Sequence, residues 1–262
     1  MKASVYTSLF NYSPEKFDLS GAFKNWSKYA DEVVIATFEE QRDEIIYHAL
    51  CNSPREDFKF KVVFCPDTSL DDHLFDGKLK NAALQACSNE LVIQLDADEL
   101  IGGDIKQWEY LGDVLTKQIA PFSCMIPVID LYKDYSHYKS VGTKWYLSLK
   151  KGLYRGPVNF AKKGGNLIDI NKSDSCEAID EHGDLVPSFA DTRFIESFDT
   201  SYVHVIHTGY LDLDKRIENN KFWKPYWESR CGESVEVATT LEKLEEENKA
   251  IPHGLPEKWW TN

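Results

Sequence analysis

The stretch Leu91-Val92-Ile93-Gln94-Leu95-Asp96-Ala97-Asp98-Glu99-Leu100 decides the fold. Its first five residues are mostly apolar and β-prone, which predicts a buried strand. The strand runs directly into Asp96, Asp98 and Glu99. An unpaired carboxylate inside a sheet costs several kcal/mol, so these acids belong where the strand leaves it. In open α/β sheets that place is the crevice outside the carboxyl ends of the strands, where ligands bind. Two aspartates one residue apart at a strand end present hard oxygens to a divalent cation that also holds a diphosphate. A turn carrying solvated acids is the plainer alternative, and the surrounding sequence has to separate the two.

Upstream, short apolar strands alternate with helical spacing. Ala3 to Phe10 predicts a strand, and Leu19, Phe23, Trp26 and Ala30 fall at helical intervals. Glu32 to Phe38 predicts a second strand, followed by a helix that starts in Glu39-Glu40-Gln41-Arg42-Asp43 and runs through Ile45, Ile46 and Leu50. Lys59 to Phe64 predicts a third strand, and Asp71 or Asp72 to Cys87 a helix leading to Leu91. This alternation implies a parallel sheet with crossover helices. Right-handed crossovers place every strand's carboxyl end on one edge. That edge would collect Thr7 to Phe10, Phe38 to Asp43, Cys65 to Ser69 and Asp96 to Glu99.

Downstream the texture changes. Asp104 to Lys117 predicts a helix capped by Asp104, and Phe122 to Leu131 a strand in which Pro127 suggests an edge or a bend. Lys144 to Lys150 alternates as a half-exposed strand, with Trp145, Leu147 and Leu149 on one face. Tyr154 to Asn166 is turn-rich, and the acidic stretch from Asn171 to Leu185 reads as a mobile loop. Ser201 to His207 predicts a strand. Asp212 then caps a helix that stops near Pro225, and a last helix spans Ser234 to Lys249 with Val237, Leu241 and Leu244 on one face. The organisation expected is an α/β half over residues 1–130, a region of the same domain over 131–210, and a helical segment over 211–262.

Composition narrows the partners. The 262 residues carry a formal net charge of −13, which argues against a nucleic-acid binder. Six cysteines are scattered with no Cys-x-x-Cys pair, which indicates neither a zinc knuckle nor a disulfide framework and favours a reducing compartment. Neither a signal-peptide core nor an 18-residue apolar run is present, so a cytoplasmic protein with no transmembrane segment is expected.

Lys80-Asn81-Ala82-Ala83-Leu84-Gln85-Ala86-Cys87-Ser88-Asn89-Glu90 followed by the Leu91 strand and Asp96-Ala97-Asp98-Glu99 resembles the helix-strand-Asp-x-Asp segment of family 2 glycosyltransferases with the GT-A fold. The resemblance covers roughly residues 1–130 and the remainder only loosely. Lys80 stands where Arg is commoner, and Thr37 to Asp43 replaces an Asp-rich segment usual after the second strand. The resemblance implies a mostly parallel twisted sheet flanked by helices, with a smaller acceptor-side region and C-terminal helices. It implies Mn2+ or Mg2+ as cofactor, a nucleotide-diphosphate sugar as donor, and a glycan or other small hydroxyl compound as acceptor. Asp98 is then the expected metal ligand, with Asp96 on the ribose or also on the metal. His207 resembles the late histidine that such families add as a further metal ligand, against the alternative of a structural histidine. Lys78 and Lys80 are candidates for phosphate contact or for closing the nucleotide pocket beside Asn81. Thr7, Glu39 and Asp43 are candidates near base and ribose, and Arg216 and Lys221 for the diphosphate.

Inverting transfer needs a carboxylate near the acceptor hydroxyl. Related enzymes carry a Gly-x-Val-His-Glu segment, where this chain has Gly156-Pro157-Val158-Asn159-Phe160. Asp180 and Glu181, among the acids of the expected loop, are the candidate bases in its place. Two other functions stay open: a nucleotide-sugar-binding module that does no catalysis, and a sugar-1-phosphate nucleotidyltransferase. The second expects a Gly-rich basic segment after the first strand, where the chain has Ser8-Leu9-Phe10-Asn11-Tyr12.

Overall fold

A computed structural model describes residues 2–10, 18–38, 42–51, 57–71, 75–117, 123–149, 160–163, 166–169, 188–189, 202–231 and 234–252. Within these, β1 (Ala3–Leu9), α1 (Leu19–Trp26), β2 (Glu32–Thr37), α2 (Arg42–Cys51), β3 (Lys59–Phe64), α3 (Phe75–Ala86) and β4 (Leu91–Gln94) follow the order expected from the sequence. Then come β5 (Glu99–Gly103), α4 (Ile105–Lys117), β6 (Ser123–Tyr132), β7 (Asp134–Leu149), β8 (Phe160–Lys163), β9 (Asn166–Asp169), β10 (Ser188–Phe189) and β11 (Val203–His207). The chain closes with α5 (Leu213–Cys231), α6 (Leu241–Glu247) and β12 (Ile251–Pro252).

The main sheet runs β3-β2-β1-β4-β7-β6-β11-β5, with β10 beside β6 and β12 beside β7, while β8 and β9 pair apart as an antiparallel ribbon. The first four strands in this order are parallel. Beyond β4 the sheet is mixed, because β7 joins β4 antiparallel and β11 joins β5 antiparallel but β6 parallel.

Side chains alternate across the sheet, and each face has its own helices. Ala3, Val5, Leu9, Val33, Ile35 and Ile93 pack with Phe23 and Trp26 of α1, Ile45 of α2 and Trp108 and Leu111 of α4. Tyr6, Val34, Ala36 and Val92 pack on the other face against Phe75, Leu79, Ala83 and Leu84 of α3. The chain therefore winds from β1 to β3 along one face and returns along the other to β4, on the far side of β1. That reversal puts the switch point between the carboxyl ends of β1 and β4, and the Asp96 to Glu99 turn stands at it.

The amino edge of the same strands is sealed by a buried acid. The Ser4 hydroxyl donates to the Glu32 carboxylate. So does the Ser88 backbone N–H, at 2.7 Å, and Lys61 Nζ lies 2.9 Å away. Burial alone would raise the Glu32 carboxyl, but these donors outweigh it and hold its pKa at about 2 against a usual 4.5. The network contributes about 2–3 kcal/mol at neutral pH. The contribution is present in full above pH 4.5 and is lost as pH falls through about 2. Glu32→Gln is accordingly expected to lower the melting temperature at pH 7 by roughly 5–10 °C. Melts of both proteins from pH 7 to pH 2.5 should show the gap closing below about pH 4.5, and a gap independent of pH would remove the carboxylate as its source.

Four expectations are corrected. Pro127 marks no edge, because β6 is flanked by β7 on one side and by β10 and β11 on the other. Proline is tolerated there since it falls between the Ser123–Cys124 pairing with β10 and the Val128–Asp130 pairing with β11. The strand expected from Lys144 begins at Asp134 and is interior at its end, where Leu147 pairs with Ile93 and is fully buried. The helix after Asp212 passes through Pro225, and the aromatic contacts of Trp223 with Phe10 and Phe75 anchor the turn before it. The last helix is only Leu241–Glu247, started by Thr240, whose hydroxyl accepts from Lys243 N–H. Residues 234–239 lie outside it, held to α5 by Asn220 Nδ2 donating to the Ala238 carbonyl at 2.7 Å.

Candidate active site

Strand register assembles the site. On β11, His207 stands opposite Glu99 of β5 on one side and Asp130 of β6 on the other. Its imidazole is thereby held between two carboxylates. Nδ1 lies 2.7 Å from Asp130 Oδ1, and Nε2 lies 3.1 Å from Asp98 Oδ2. The Ser140 hydroxyl donates to the other Asp130 oxygen, which fixes that carboxylate in turn.

The Asp-x-Asp turn is equally constrained. Glu99 N–H donates to the Asp96 carbonyl at 3.0 Å, and Asp96 N–H donates to Glu99 Oε2 at 2.8 Å. The Asp98 carbonyl accepts from both the backbone N–H and the hydroxyl of Thr208, each at 2.8 Å. These bonds fix the Asp98 backbone before any ligand arrives. A Cβ on Gly209 would sit 2.6 Å from both Asp98 Oδ2 and His207 Nε2, so only glycine leaves room for the pair.

Burial alone would raise the Asp98 carboxyl, but the His207 imidazolium holds it below its usual range. Burial likewise works against Asp130, and the same imidazolium lowers it. Desolvation would depress His207, yet Asp98 and Asp130 together hold it well above an ordinary histidine.

Asp98 Oδ2 and His207 Nε2 are bonded to each other here, and they could hold a divalent cation only once the Nε2 proton has left. Bonds of about 2.1 Å put two adjacent ligands of an octahedron about 3 Å apart, and Asp98 Oδ2 and His207 Nε2 stand at 3.1 Å. A metal-binding histidine normally has its other nitrogen held by a carboxylate, as Asp130 holds this one. Among the described residues no group of three or more His, Cys, Asp or Glu is arranged around one metal position. Two protein ligands would leave the remaining positions to water and substrate.

Asp96 belongs to a second network. Lys80 Nζ lies 3.1 Å from Asp96 Oδ1 and 3.0 Å from Asp76 Oδ2. The Ser8 hydroxyl donates to Asp76 Oδ1 at 2.6 Å, and Gln94 Nε2 donates to Asp96 Oδ1 at 3.1 Å. Lys80 is buried, so its ammonium links α3 and the ends of β1 and β4 to the turn. Lys78 and Asn81 lie half-buried on α3. Thr7 lies inside β1, fully buried, with its hydroxyl on the Ser8 carbonyl, and Asp43 is exposed in the first turn of α2. Arg216 lies on α5 with Nη2 on the Tyr210 hydroxyl. Glu39, Asp180 and Glu181 lie outside the described residues.

Sequence reasoning missed Asp130, Asp76 and Asn25. Asp130 had a signal, a lone acid inside the apolar run Val128-Ile129-Asp130-Leu131-Tyr132, where an unpaired carboxylate would be costly. Asp76 precedes Lys80 by one helical turn, and that spacing of an acid before a base is readable too. Asn25 had none.

No protein-family model and no curated protein matches the chain. Among solved structures it is similar to TarS of S. aureus, at a TM-score of 0.32 and 18% identity over 51% of this chain and 22% of that one. It is also similar to 4-diphosphocytidyl-2C-methyl-D-erythritol synthase from Anaerococcus prevotii, at a TM-score of 0.35 and 14% identity over 57% of this chain and 72% of that one. With HddC from Yersinia pseudotuberculosis the TM-score is 0.45 and the identity 11%, over 86% of this chain and 100% of that one. At such scores any function assigned to the chain has to rest on the geometry of its own residues.

Proposed function

We propose that the chain is a metal-dependent glycosyltransferase, moving a sugar with inversion from a nucleotide-diphosphate sugar to a hydroxyl of a glycan or other small acceptor. The observation that carries this reading is the Asp98–His207 pair, 3.1 Å apart and oriented by Asp130, at the end of the sheet's switch-point strand. Asp98 and His207 would hold Mn2+ or Mg2+, which supplies a Lewis acid for the charge that develops on a departing diphosphate.

The rest falls to the chain's own groups. Lys80 and Gln94 hold Asp96 beside that position, on the donor's ribose or on the metal. Lys80 acts through Asp96 in this reading, because its ammonium is already shared between two carboxylates. In the transfer the acceptor oxygen bonds to the anomeric carbon while the bond to the diphosphate oxygen breaks. The electron pair leaves with the diphosphate, and the acceptor proton passes to a carboxylate, for which Asp180 and Glu181 are the candidates.

The test is a donor screen. Purified protein with Mn2+ or Mg2+ is offered UDP-, GDP- and dTDP-sugars, and released nucleotide is measured with and without an acceptor mixture. Metal-dependent release from one donor supports the transferase. Donor binding without release points to a binding module, and neither binding nor release sinks the nucleotide-sugar reading. In the same assay Gly209→Ala is expected to slow release at least about tenfold, since its methyl group would force apart a pair that binds as a unit. Release by Gly209→Ala at the unmodified rate would show that the Asp98–His207 spacing does not matter.

A further inference from the structure

We infer that α5 and the segment after it form a hinged cover, which Trp223 latches shut over the carboxyl ends of β1 and β2. That the crevice beneath takes a nucleotide rests on the proposed function; the latch itself rests on the following geometry.

The cover has a small core of its own. Ile217 of α5 packs with Ala238 and Leu244, and the buried Asn220 amide donates to the Ala238 carbonyl. Farther along α5, Glu228 Oε1 accepts from the Val235 N–H at 3.3 Å. These contacts tie α5 to residues 234–247 as one unit, apart from the clusters on the two faces of the sheet.

The unit meets the sheet near its start and again near Trp223. At the start, Leu211 packs with Ile129 and Ile206, and the Tyr210 carbonyl accepts from Lys133 N–H at 3.0 Å. The return strand β12 pairs with β7 at His137 and Tyr138, on the same β6–β7 hairpin. Trp223 lies about 15 Å farther along α5 than Leu213. There it stacks on Phe75 of α3, with centroids 5.8 Å apart and planes 9° apart, and meets Phe10 edge-on at 5.3 Å. Phe10 directly follows β1 and Phe38 directly follows β2, and their centroids lie 4.7 and 6.0 Å from that of Phe75. Aromatic rings therefore fill the mouth of both strands, and Trp223 is the ring that the cover supplies.

Two features make this contact a latch rather than a fixture of the core. Trp223 is half-buried, whereas Phe75 beneath it is 1% exposed. Pro225 has no N–H to return to the Lys221 carbonyl, so the turn that carries Trp223 lacks a helix bond. The Asp98–His207 pair does not ride on the cover, because Asp130, Thr208 and Gly209 all precede the hinge at Tyr210. Opening thus changes access to the crevice and leaves the pair assembled. A ligand reaches the ends of β1 and β2 by displacing Trp223, and the latched fraction of the protein lowers its apparent affinity.

The experiment uses the full chain with fluorophores on exposed Glu44 of α2 and exposed Glu218 of α5, attached through non-canonical residues. Single-molecule energy transfer compares the unmodified sequence with Trp223→Phe and Trp223→Ala, and thermal melts identify any variant that has unfolded. Unlabelled protein in Mn2+ is titrated with UDP and GDP in the same three forms. Trp223→Ala is expected to raise the long-distance population about 3- to 10-fold. It should tighten UDP or GDP by a similar factor, through a faster on-rate. Trp223→Phe should fall between, because it keeps a ring on Phe10 and loses the larger face. A distance distribution that Trp223→Ala leaves unchanged would overturn the latch. Weaker nucleotide binding in Trp223→Ala would overturn it too, since Trp223 would then grip the ligand, and the nucleotide reading would stand. A long-distance population enriched by Trp223→Ala, with no nucleotide bound by any form, keeps the latch and sinks the nucleotide-sugar reading.

Discussion

Asp98→Asn is expected to slow metal-dependent nucleotide release by about 10³-fold or more while leaving the protein folded. The substitution keeps the shape of the side chain and removes the charge a hard divalent cation requires. A metal acting as Lewis acid supplies several kcal/mol to a transition state, and about 4 kcal/mol is 10³ in rate. The substitution loses the ion pair with His207, but Thr208 holds the Asp98 backbone, so the turn stays formed. A comparison with Asp130→Asn sharpens the prediction. Asp130 touches His207 and no expected metal position, so its loss should cost about 10- to 100-fold, as for a carboxylate that orients a ligand. Release rates against Mn2+ concentration would show both effects. Asp98→Asn retaining more than about a tenth of the unmodified rate would mean that Asp98 does not carry the metal.

The two edges of the sheet divide the labour. Buried charge at the amino edge is fully paired within the chain, as in Glu32 with Ser4, Lys61 and Ser88. At the carboxyl edge the charges are held in position yet incompletely answered. Asp98 is 33% exposed on its side chain and pairs with His207, and among the described residues the buried Arg216 Nε has no acceptor. The first pattern stabilises a fold, whereas the second leaves interactions for a ligand to complete.

Much of the parallel half was legible because its signals are local. Runs such as Val33-Val34-Ile35-Ala36, with a helix of fitting length between each pair, leave few topologies open. Apolar runs mark the Asp-x-Asp turn and His207 as strand ends, and the family resemblance joins them as expected metal ligands. Local pattern alone does not bring them together, because their meeting depends on an antiparallel register between β5 and β11, roughly a hundred residues apart. β5 itself was missed. Its five residues follow an acidic turn and end in Gly102-Gly103, so local propensity favours a loop. Gly103 is needed there for its φ of +93°, and at Gly102 a Cβ would strike the His204 ring.

What makes β5 a strand is tertiary, and Asn25 is the residue that shows it. β5 ends the strand order and carries the turn that holds Asp98. Its outer edge is answered by α1. Asn25 Nδ2 donates to the Ile101 carbonyl at 3.0 Å, and Asn25 Oδ1 accepts from Ile101 N–H at 2.7 Å. The side-chain amide thus completes the ladder as a neighbouring strand would. Trp26 Nε1 donates to the Glu99 carbonyl at 2.9 Å, and the Tyr29 hydroxyl to the Gly103 carbonyl at 3.0 Å. Asn25→Ala would strand a buried donor and a buried acceptor, at about 1–3 kcal/mol for each group left unpaired. A loss of about 2–4 kcal/mol is therefore expected by denaturant unfolding, against less than about 0.5 kcal/mol for Lys24→Ala on the exposed side of the same helix. Amide exchange at Ile101 should rise in the variant, because its donor loses the acceptor that shields it. Donor turnover should fall as well, since the strand that loosens begins one residue after Asp98. Unchanged stability in Asn25→Ala would mean that Trp26 and Tyr29 hold the edge by themselves, and that the amide only decorates a strand already fixed.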